Sequence, residues 1–162
     1  MSHRRGKTIG SAKTSAQIKK KVKQPQIFLG TRTVAMFPCY DCNQCPFVLK
    51  GKDFVHPTTG YTVHLQNNFT CISKYAIYAL VCPCGLIYIG ETTQMIKSRI
   101  LQHRSSINLD QLKFMVLETV PPMKGGGDRE LRLKQREVWW IHKLQALSPR
   151  GLNKDYDLYL FL

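Results

Sequence analysis

Alternating and continuous apolar runs predict three strands between residues 75 and 120. They lie near residues 75–82, 86–90 and 113–120, and the turn CPCG joins the first two as a hairpin. The terminal DLYLFL would add a short strand. Runs of this length, bounded by turn residues, fit a half-buried sheet.

Helical periodicity predicts two helices around these strands. The first would begin at Thr92 or Thr93, either of which would cap it, and run to about Ile107. The second would begin after a cap at Asp128 and run to about Leu147. The predicted order is therefore β-β-α-β-α, a small α+β domain with a three-stranded sheet and flanking helices.

Both predicted helices carry polar residues on their apolar faces. Arg99 and His103 are four residues apart and fall within the isoleucine arc of the first helix. Glu137 falls among the leucines of the second, where a carboxylate costs several kcal/mol unless a cation or strong donors meet it. Two interpretations stay open: a structural ion pair between Glu137 and Arg99, or a metal ligand facing an Arg/His pair.

Six cysteines add a second candidate site. The basic N-terminus lacks the apolar segment of a secretory signal, so we expect the chain to work inside the cell, where cysteines favour metal before disulfides. Residues 39–71 have too little apolar bulk for a core of their own, so a structural Zn²⁺ is expected to stabilise them. The preferred ligands are Cys39, Cys42, Cys45 and Cys71, with His56 and His64 as substitutes. Cys82 and Cys84 are a rival pair, or small residues that shape the turn.

Charge narrows the class of partner. The net charge is +14, and residues 1–40 contain nine Lys/Arg and no acid, which favours a polyanion such as nucleic acid over a merely solubilising tail. Lys19–Lys23 resembles a nuclear import signal, so a nuclear location is expected. No apolar run is long enough to span a bilayer, so no membrane partner is expected. The predicted organisation is a basic, disordered tail (1–35), a cysteine-rich zinc module (36–73) and an α+β domain (74–162).

Six residues, spread along the chain, occur in an order that resembles the motifs of a known family. They are Tyr78 (ending AIY), Tyr88 (opening YIG), Arg99, His103, Glu137 and Asn153 (in GLN). With nine residues between the two tyrosines, this order resembles the GIY-YIG endonuclease family over about residues 74–155. Ala76 stands where the family name has glycine, a change that a strand tolerates.

Longer strings extend the resemblance to the endonuclease of Penelope-like retroelements. They are CYDCNQCPF, CPCGLIYIGETT and the late GGGDRE…QREVWWI…LSPRGLN, with Cys71 before the first strand. This match covers roughly residues 36–162. Those retrotransposons also carry a reverse transcriptase, for which 162 residues leave no room.

The resemblance implies a DNA endonuclease that hydrolyses phosphodiesters, most simply by nicking, with one carboxylate-bound Mg²⁺ or Mn²⁺. Glu137 would hold that metal, and Arg99 would stabilise the charge that develops on the phosphate. DNA, with RNA as the alternative, would bind the basic tail and the nuclease face.

The remaining motif residues would act on the water and the phosphate. The resemblance makes Tyr78 the general base or the residue that positions the water, with its proton relayed through His103. Tyr88 would hydrogen-bond the phosphate or the water, and Asn153 would orient the site. A tyrosine, with a pKa near 10, needs nearby positive charge to act as a base.

The link SSINLDQLKF keeps two alternatives open. It joins the first helix almost directly to the third strand, where the retroelement pattern has a longer segment. The alternatives are a non-catalytic DNA- or RNA-binding protein on the same scaffold, and a degenerate remnant.

Overall fold

The computed structural model describes residues 33–106 and 111–155, and their fold is α+β, as predicted. The predicted tail up to residue 32, with its Lys19–Lys23 run, lies outside the described residues. So do residues 107–110 of the short link and the predicted C-terminal strand. The described elements follow in chain order: a 3-10 turn (Cys45–Phe47), β1 (Asp53–Val55), β2 (Thr62–His64), β3 (Ala76–Val81), β4 (Ile87–Thr92), α1 (Ile96–Ser106), β5 (Lys113–Thr119) and α2 (Arg129–Lys143).

The three predicted strands form one antiparallel sheet with the order β4-β3-β5. Because β3 is central, its residues are buried from Ala76 to Leu80. Its register with β4 places Tyr78 opposite Gly90 and Leu80 opposite Tyr88. The hairpin therefore holds its two tyrosines on adjacent strands.

Helix α1 begins later than predicted, at Ile96. Thr92 does not cap it, because it ends β4 opposite Ala76 and its Oγ1 accepts a hydrogen bond from the Gln94 N–H (3.1 Å). The first amides of the helix donate instead to carbonyls of the loop before β3. The Ile96 N–H donates to Ser73 O (2.9 Å) and the Lys97 N–H donates to Cys71 O (2.9 Å). These acceptors lie more than 20 residues away in sequence, so the local pattern gives no sign of them.

Helix α2 begins where predicted and ends four residues early. The Asp128 side chain accepts from the N–H groups of Glu130 (2.9 Å) and Leu131 (3.0 Å), as the predicted cap requires. The helix ends at Lys143 because Gln145 adopts a left-handed φ of 52°. None of the helices in the described residues has the length and apolar character of a membrane span.

Residues 36–73, which we call the cysteine segment, pack onto the sheet and share its hydrophobic core. The Leu49 N–H donates to Phe114 O of β5 (2.8 Å), and Val48 forms a parallel bridge to the same residue. Upstream, Ala35 is buried and its N–H donates to Asn68 Oδ1 (3.1 Å). The buried residues that join this segment to the sheet core include Met36, Phe54, Phe69, Ile77 and Phe114. One continuous hydrophobic core therefore crosses the predicted boundary at residues 73 and 74.

Candidate active site and cysteine cluster

Four thiols converge beside the start of α1. The Sγ–Sγ distances are 3.4 Å (Cys39–Cys42), 3.5 Å (Cys42–Cys45), 3.7 Å (Cys39–Cys45) and 3.9 Å (Cys45–Cys71). A tetrahedral site with Zn–S bonds of about 2.3 Å has sulfur–sulfur edges of about 3.8 Å. This cysteine cluster could therefore hold a metal ion such as zinc, and it is the ligand set that the sequence favoured.

The thiols of the cluster differ in acidity. Burial acts to raise the pKa of Cys45, but hydrogen bonds from Cys42, Cys39 and Cys71 outweigh it and lower the pKa to about 6. Burial raises the pKa of Cys71. Since the thiolate is the form that binds metal, Cys45 supplies negative charge at neutral pH for a cation to meet.

The two histidines considered as substitute ligands have other partners. The buried His56 accepts at Nδ1 from the Thr58 N–H (3.3 Å), so its Nε2–H donates to Leu144 O (3.1 Å) beyond the end of α2. The exposed His64 contacts Asp53 Oδ1 through Nδ1 (2.6 Å). His56 thus joins the β1–β2 hairpin to α2, and the group of four thiols includes neither ring.

Cys82 and Cys84 occupy the turn between β3 and β4. The Cys84 N–H donates to Cys82 Sγ (3.4 Å), and Cys84 is exposed. Neither belongs to the metal-competent group found among the described residues. In this structure the pair shapes the turn, the second of the two roles expected from the sequence.

The hairpin and α1 bring together Tyr78, Tyr88, Arg99 and His103, which we call the tyrosine cluster. Tyr78 is fully buried, and its oxygen accepts from Arg99 Nε (3.3 Å). Because that oxygen is already an acceptor, we assign its hydroxyl as donor to His103 Nε2 (2.6 Å). The Tyr88 ring centroid lies 5.4 Å from that of His103 and 6.5 Å from that of Tyr78.

Gly90 makes the close approach of these rings possible. A Cβ atom at this position would lie 2.7 Å from the Tyr78 hydroxyl oxygen and 2.7 Å from Tyr88 Cε1. On the other side of β3, the register with β5 shifts between Ile77 and Tyr78, and such bulges re-aim side chains. The sequence displayed this glycine in YIG, but its steric role is visible only once the register is known.

Burial dominates the proton affinities in the tyrosine cluster. It raises the pKa of Tyr78, and the hydrogen bond and charge of Arg99 offset only part of this effect. Burial, with the nearby charge of Glu137, also raises the pKa of Tyr88. Burial and Arg99 lower the pKa of His103, so its ring is neutral at pH 7 and can accept a proton.

Glu137 of α2 lies beside Glu91 of β4 and accepts a hydrogen bond from the Glu91 backbone. Burial and the neighbouring Glu91 raise the pKa of Glu137 to about 7, although the Glu91 backbone N–H, Arg99 and Lys134 act in the opposite direction. Burial also raises the pKa of Glu91. Glu91 was not predicted as a site residue, because it lies on a strand and helical periodicity identifies inward-facing acids only on helices.

Arg99 makes its hydrogen bonds within α1 and to β3. Its Nε donates to Tyr78 and its Nη1 donates to Gln102 Oε1 (3.2 Å). Its positive charge acts on Glu137 and opposes the rise in the pKa of that carboxyl. The guanidinium carries five N–H donors, more than these two contacts use, so it can also serve an anionic ligand.

Asn153 clamps the outer edge of β4. Its Oδ1 accepts from the Ile89 N–H (2.8 Å) and its Nδ2 donates to Ile89 O (2.7 Å). Nearby, the Leu152 N–H donates to Ile87 O (2.8 Å). Because Ile89 lies between Tyr88 and Gly90, Asn153 holds the strand that presents the second tyrosine and does not itself join the tyrosine cluster.

These side chains come from four parts of the fold: the hairpin, α1, α2 and the segment after α2. The residues singled out in the sequence as catalytic meet in one region, with Asn153 acting through the backbone. Comparison of the chain with protein-family models, with curated proteins and with solved structures finds no match.

Proposed function

We propose that this chain is a metal-dependent DNA endonuclease of the GIY-YIG type, derived from a retroelement and acting in the nucleus. The observation that carries the proposal is the buried Tyr78 hydroxyl, bonded both to His103 and to Arg99 with Tyr88 beside them. Ordinary strand packing requires no cation and no histidine on a buried tyrosine. The resemblance to Penelope-like endonucleases supports the same assignment.

Arg99 supplies fixed positive charge for the scissile phosphate. Phosphodiester hydrolysis needs an activated water and neutralisation of charge on the phosphorus centre. The guanidinium stays protonated at any working pH and offers a planar fork of donors to phosphate oxygens. Tyr88, half-buried at the edge of the cluster, donates its hydroxyl to the phosphate or the water.

Tyr78 and His103 form a path for the proton of the attacking water. Because burial raises the pKa of Tyr78, a free phenolate is a poor starting state. We therefore assign a relay: the water proton passes to the Tyr78 oxygen while the Tyr78 proton passes to His103 Nε2. The neutral imidazole, 2.6 Å away, is the acceptor that completes the transfer.

Glu137 is the residue that would hold Mg²⁺ or Mn²⁺. The site fits a cation, because Glu137 is half-buried and the charge of the neighbouring Glu91 raises its pKa in the absence of one. A bound divalent ion would polarise a phosphate oxygen as a Lewis acid. Zn²⁺ would occupy the cysteine cluster as a structural ion.

Nicking of supercoiled plasmid in the presence of Mg²⁺ or Mn²⁺ tests this function. We expect Tyr78→Phe and Glu137→Gln each to reduce the nicking rate by about 100-fold or more. Tyr40→Phe and Glu130→Gln are the matched controls, because both change exposed residues, and they should nick at the wild-type rate.

Two results would contradict the proposal. The first is nicking that both active-site variants retain. The second is wild-type protein that binds DNA tightly and with strong salt dependence but does not nick it, which would favour the non-catalytic nucleic-acid-binding alternative.

A further inference from the structure

A groove lies between the β1–β2 hairpin, the end of β5 and one face of α2. Its volume is about 420 Å³, and its walls include Tyr61, Glu118, Arg136, Trp139 and Lys143. Small-ligand sites generally measure about 300–1,000 Å³. Helical geometry separates this groove from the tyrosine cluster, since Trp139 and Lys143 lie about 200° and 240° round α2 from Glu137.

The groove exposes two aromatic rings with cations against them. Tyr61 is 46% exposed and Trp139 is 38% exposed. Lys143 Nζ lies 4.5 Å from the Trp139 ring centroid and 5.9 Å from the Tyr61 ring centroid, and the Arg136 guanidinium lies 4.3 Å from that of Trp139. Large exposed rings with cations against them are typical of surfaces that bind flat or anionic ligands.

The floor of the groove is fixed by a hydrogen-bonded carboxylate. Glu118 accepts from Arg136 through Nε (2.9 Å) and Nη2 (2.6 Å), and from Trp140 Nε1 (2.8 Å). These contacts neutralise Glu118 and hold the Arg136 side chain in place. Lys143 is exposed, so its charge is available to a ligand.

We propose that this groove binds an unpaired segment of single-stranded nucleic acid. A base stacks on Trp139 and Tyr61, and Lys143 contacts the adjacent phosphate. Aromatic faces with interleaved cations bind single strands in this way, and each stacked base contributes about 1–3 kcal/mol. The net charge of +14 favours a polyanionic occupant over an acidic peptide or a second copy of this cationic chain. The proposal goes beyond cleavage and does not depend on it.

Intrinsic fluorescence tests the groove directly, because the only two tryptophans of the chain, Trp139 and Trp140, both line it. The probe is oligodeoxythymidylate, added to the full-length Glu137→Gln protein without divalent metal, so that cleavage plays no part. We expect saturable quenching of tryptophan emission that persists when salt is raised to weaken purely electrostatic binding. Duplex DNA, whose bases are paired, should quench much less.

Variants separate stacking from bulk charge, with anisotropy of a labelled oligodeoxythymidylate as the readout. Tyr61→Ala and Trp139→Leu should each weaken binding by at least about fivefold. Lys143→Gln should weaken binding and reduce its dependence on salt. Leu131→Ala, on an exposed part of α2, and Lys124→Ala, in an exposed loop, are the controls and should bind as the wild type does.

Unchanged tryptophan emission when anisotropy shows the oligonucleotide to be saturating would overturn the proposal. So would equal quenching by duplex, or wild-type affinity in both aromatic variants. Because nicking is measured separately on plasmid, a failure of this proposal is distinguishable from a failure of the nuclease assignment.

Discussion

Gly90 lies directly opposite Tyr78 on the adjacent strand, and its Cα faces the tyrosine hydroxyl so closely that a methyl group there would sit 2.7 Å from the oxygen. The same methyl group would press on the ring of Tyr88. The glycine of YIG thus provides the space in which the two tyrosines meet. Its role is steric, because its backbone does not need the left-handed conformation that glycine alone adopts readily.

Gly90→Ala should therefore displace both rings without abolishing the fold. Overpacking of this kind lowers the free energy of unfolding by about 1–3 kcal/mol. Misplacement of the Tyr78 hydroxyl should lower the nicking rate by up to about 100-fold. Urea unfolding and plasmid nicking measure the two effects, with Thr93→Ala as a nearby control. An alanine variant with wild-type stability and nicking would show that the strands move apart freely.

Asn153 should position β4, and its loss should lower the free energy of unfolding. Asn153→Ala leaves the Ile89 N–H and C=O without partners, at a cost of about 1–3 kcal/mol for each group that water does not reach. Nicking should fall as well, because Tyr88 flanks Ile89. Asn153→Asp keeps an acceptor for the N–H but cannot donate to the carbonyl, so it should rescue stability only partly. The exposed Asn67→Ala is the control for urea unfolding, and equal stability of all three variants would refute the clamp.

The cysteine cluster should carry one zinc ion per chain. Cys45→Ser removes the central thiol of the cluster and should abolish zinc in native mass spectrometry and lower the free energy of unfolding by several kcal/mol. Cys84→Ser is the matched control, because that exposed thiol lies outside the group of four, and it should retain zinc. Purified wild-type protein without near-stoichiometric zinc would contradict the assignment, as would zinc loss from the Cys84→Ser protein.

The metal-free protein should lose stability as pH rises from about 4.5 to about 7. The pKa of Glu137 is raised from 4.5 to about 7 in the fold, so across this window the folded state binds more protons than the unfolded state. Glu91, whose pKa is also raised, adds to the same trend, while Arg99 and Lys134 oppose it. Glu137→Gln should flatten the decline in urea unfolding, and added Mg²⁺ should flatten it in the wild type by favouring the ionised carboxylate. Equal slopes in the wild type and Glu137→Gln would exclude Glu137 as the source.

The sequence predicted the parts of this structure that local pattern controls. Strand alternation located the sheet, and the Asp128 cap located the start of α2. Helical angles correctly placed Arg99 and His103 toward the sheet, because an i to i+4 spacing fixes their common face.

Features that depend on partners distant in sequence were not predictable. Helix α1 starts at Ile96 because its first amides find carbonyls in the loop before β3. Glu91 came close to Glu137 only through the packing of β4 against α2. Glu118 of β5 accepts hydrogen bonds from Arg136 and Trp140 of α2. The hydrophobic periodicity of α2 does not identify this partner.

Cys71 connects the cysteine segment to helix α1. Its thiol belongs to the cysteine cluster, while its carbonyl accepts from the Lys97 N–H at the start of the helix that carries Arg99 and His103. The cysteine segment therefore cannot be exchanged between proteins as an independent cassette, since its removal would also take away acceptors that set where α1 begins.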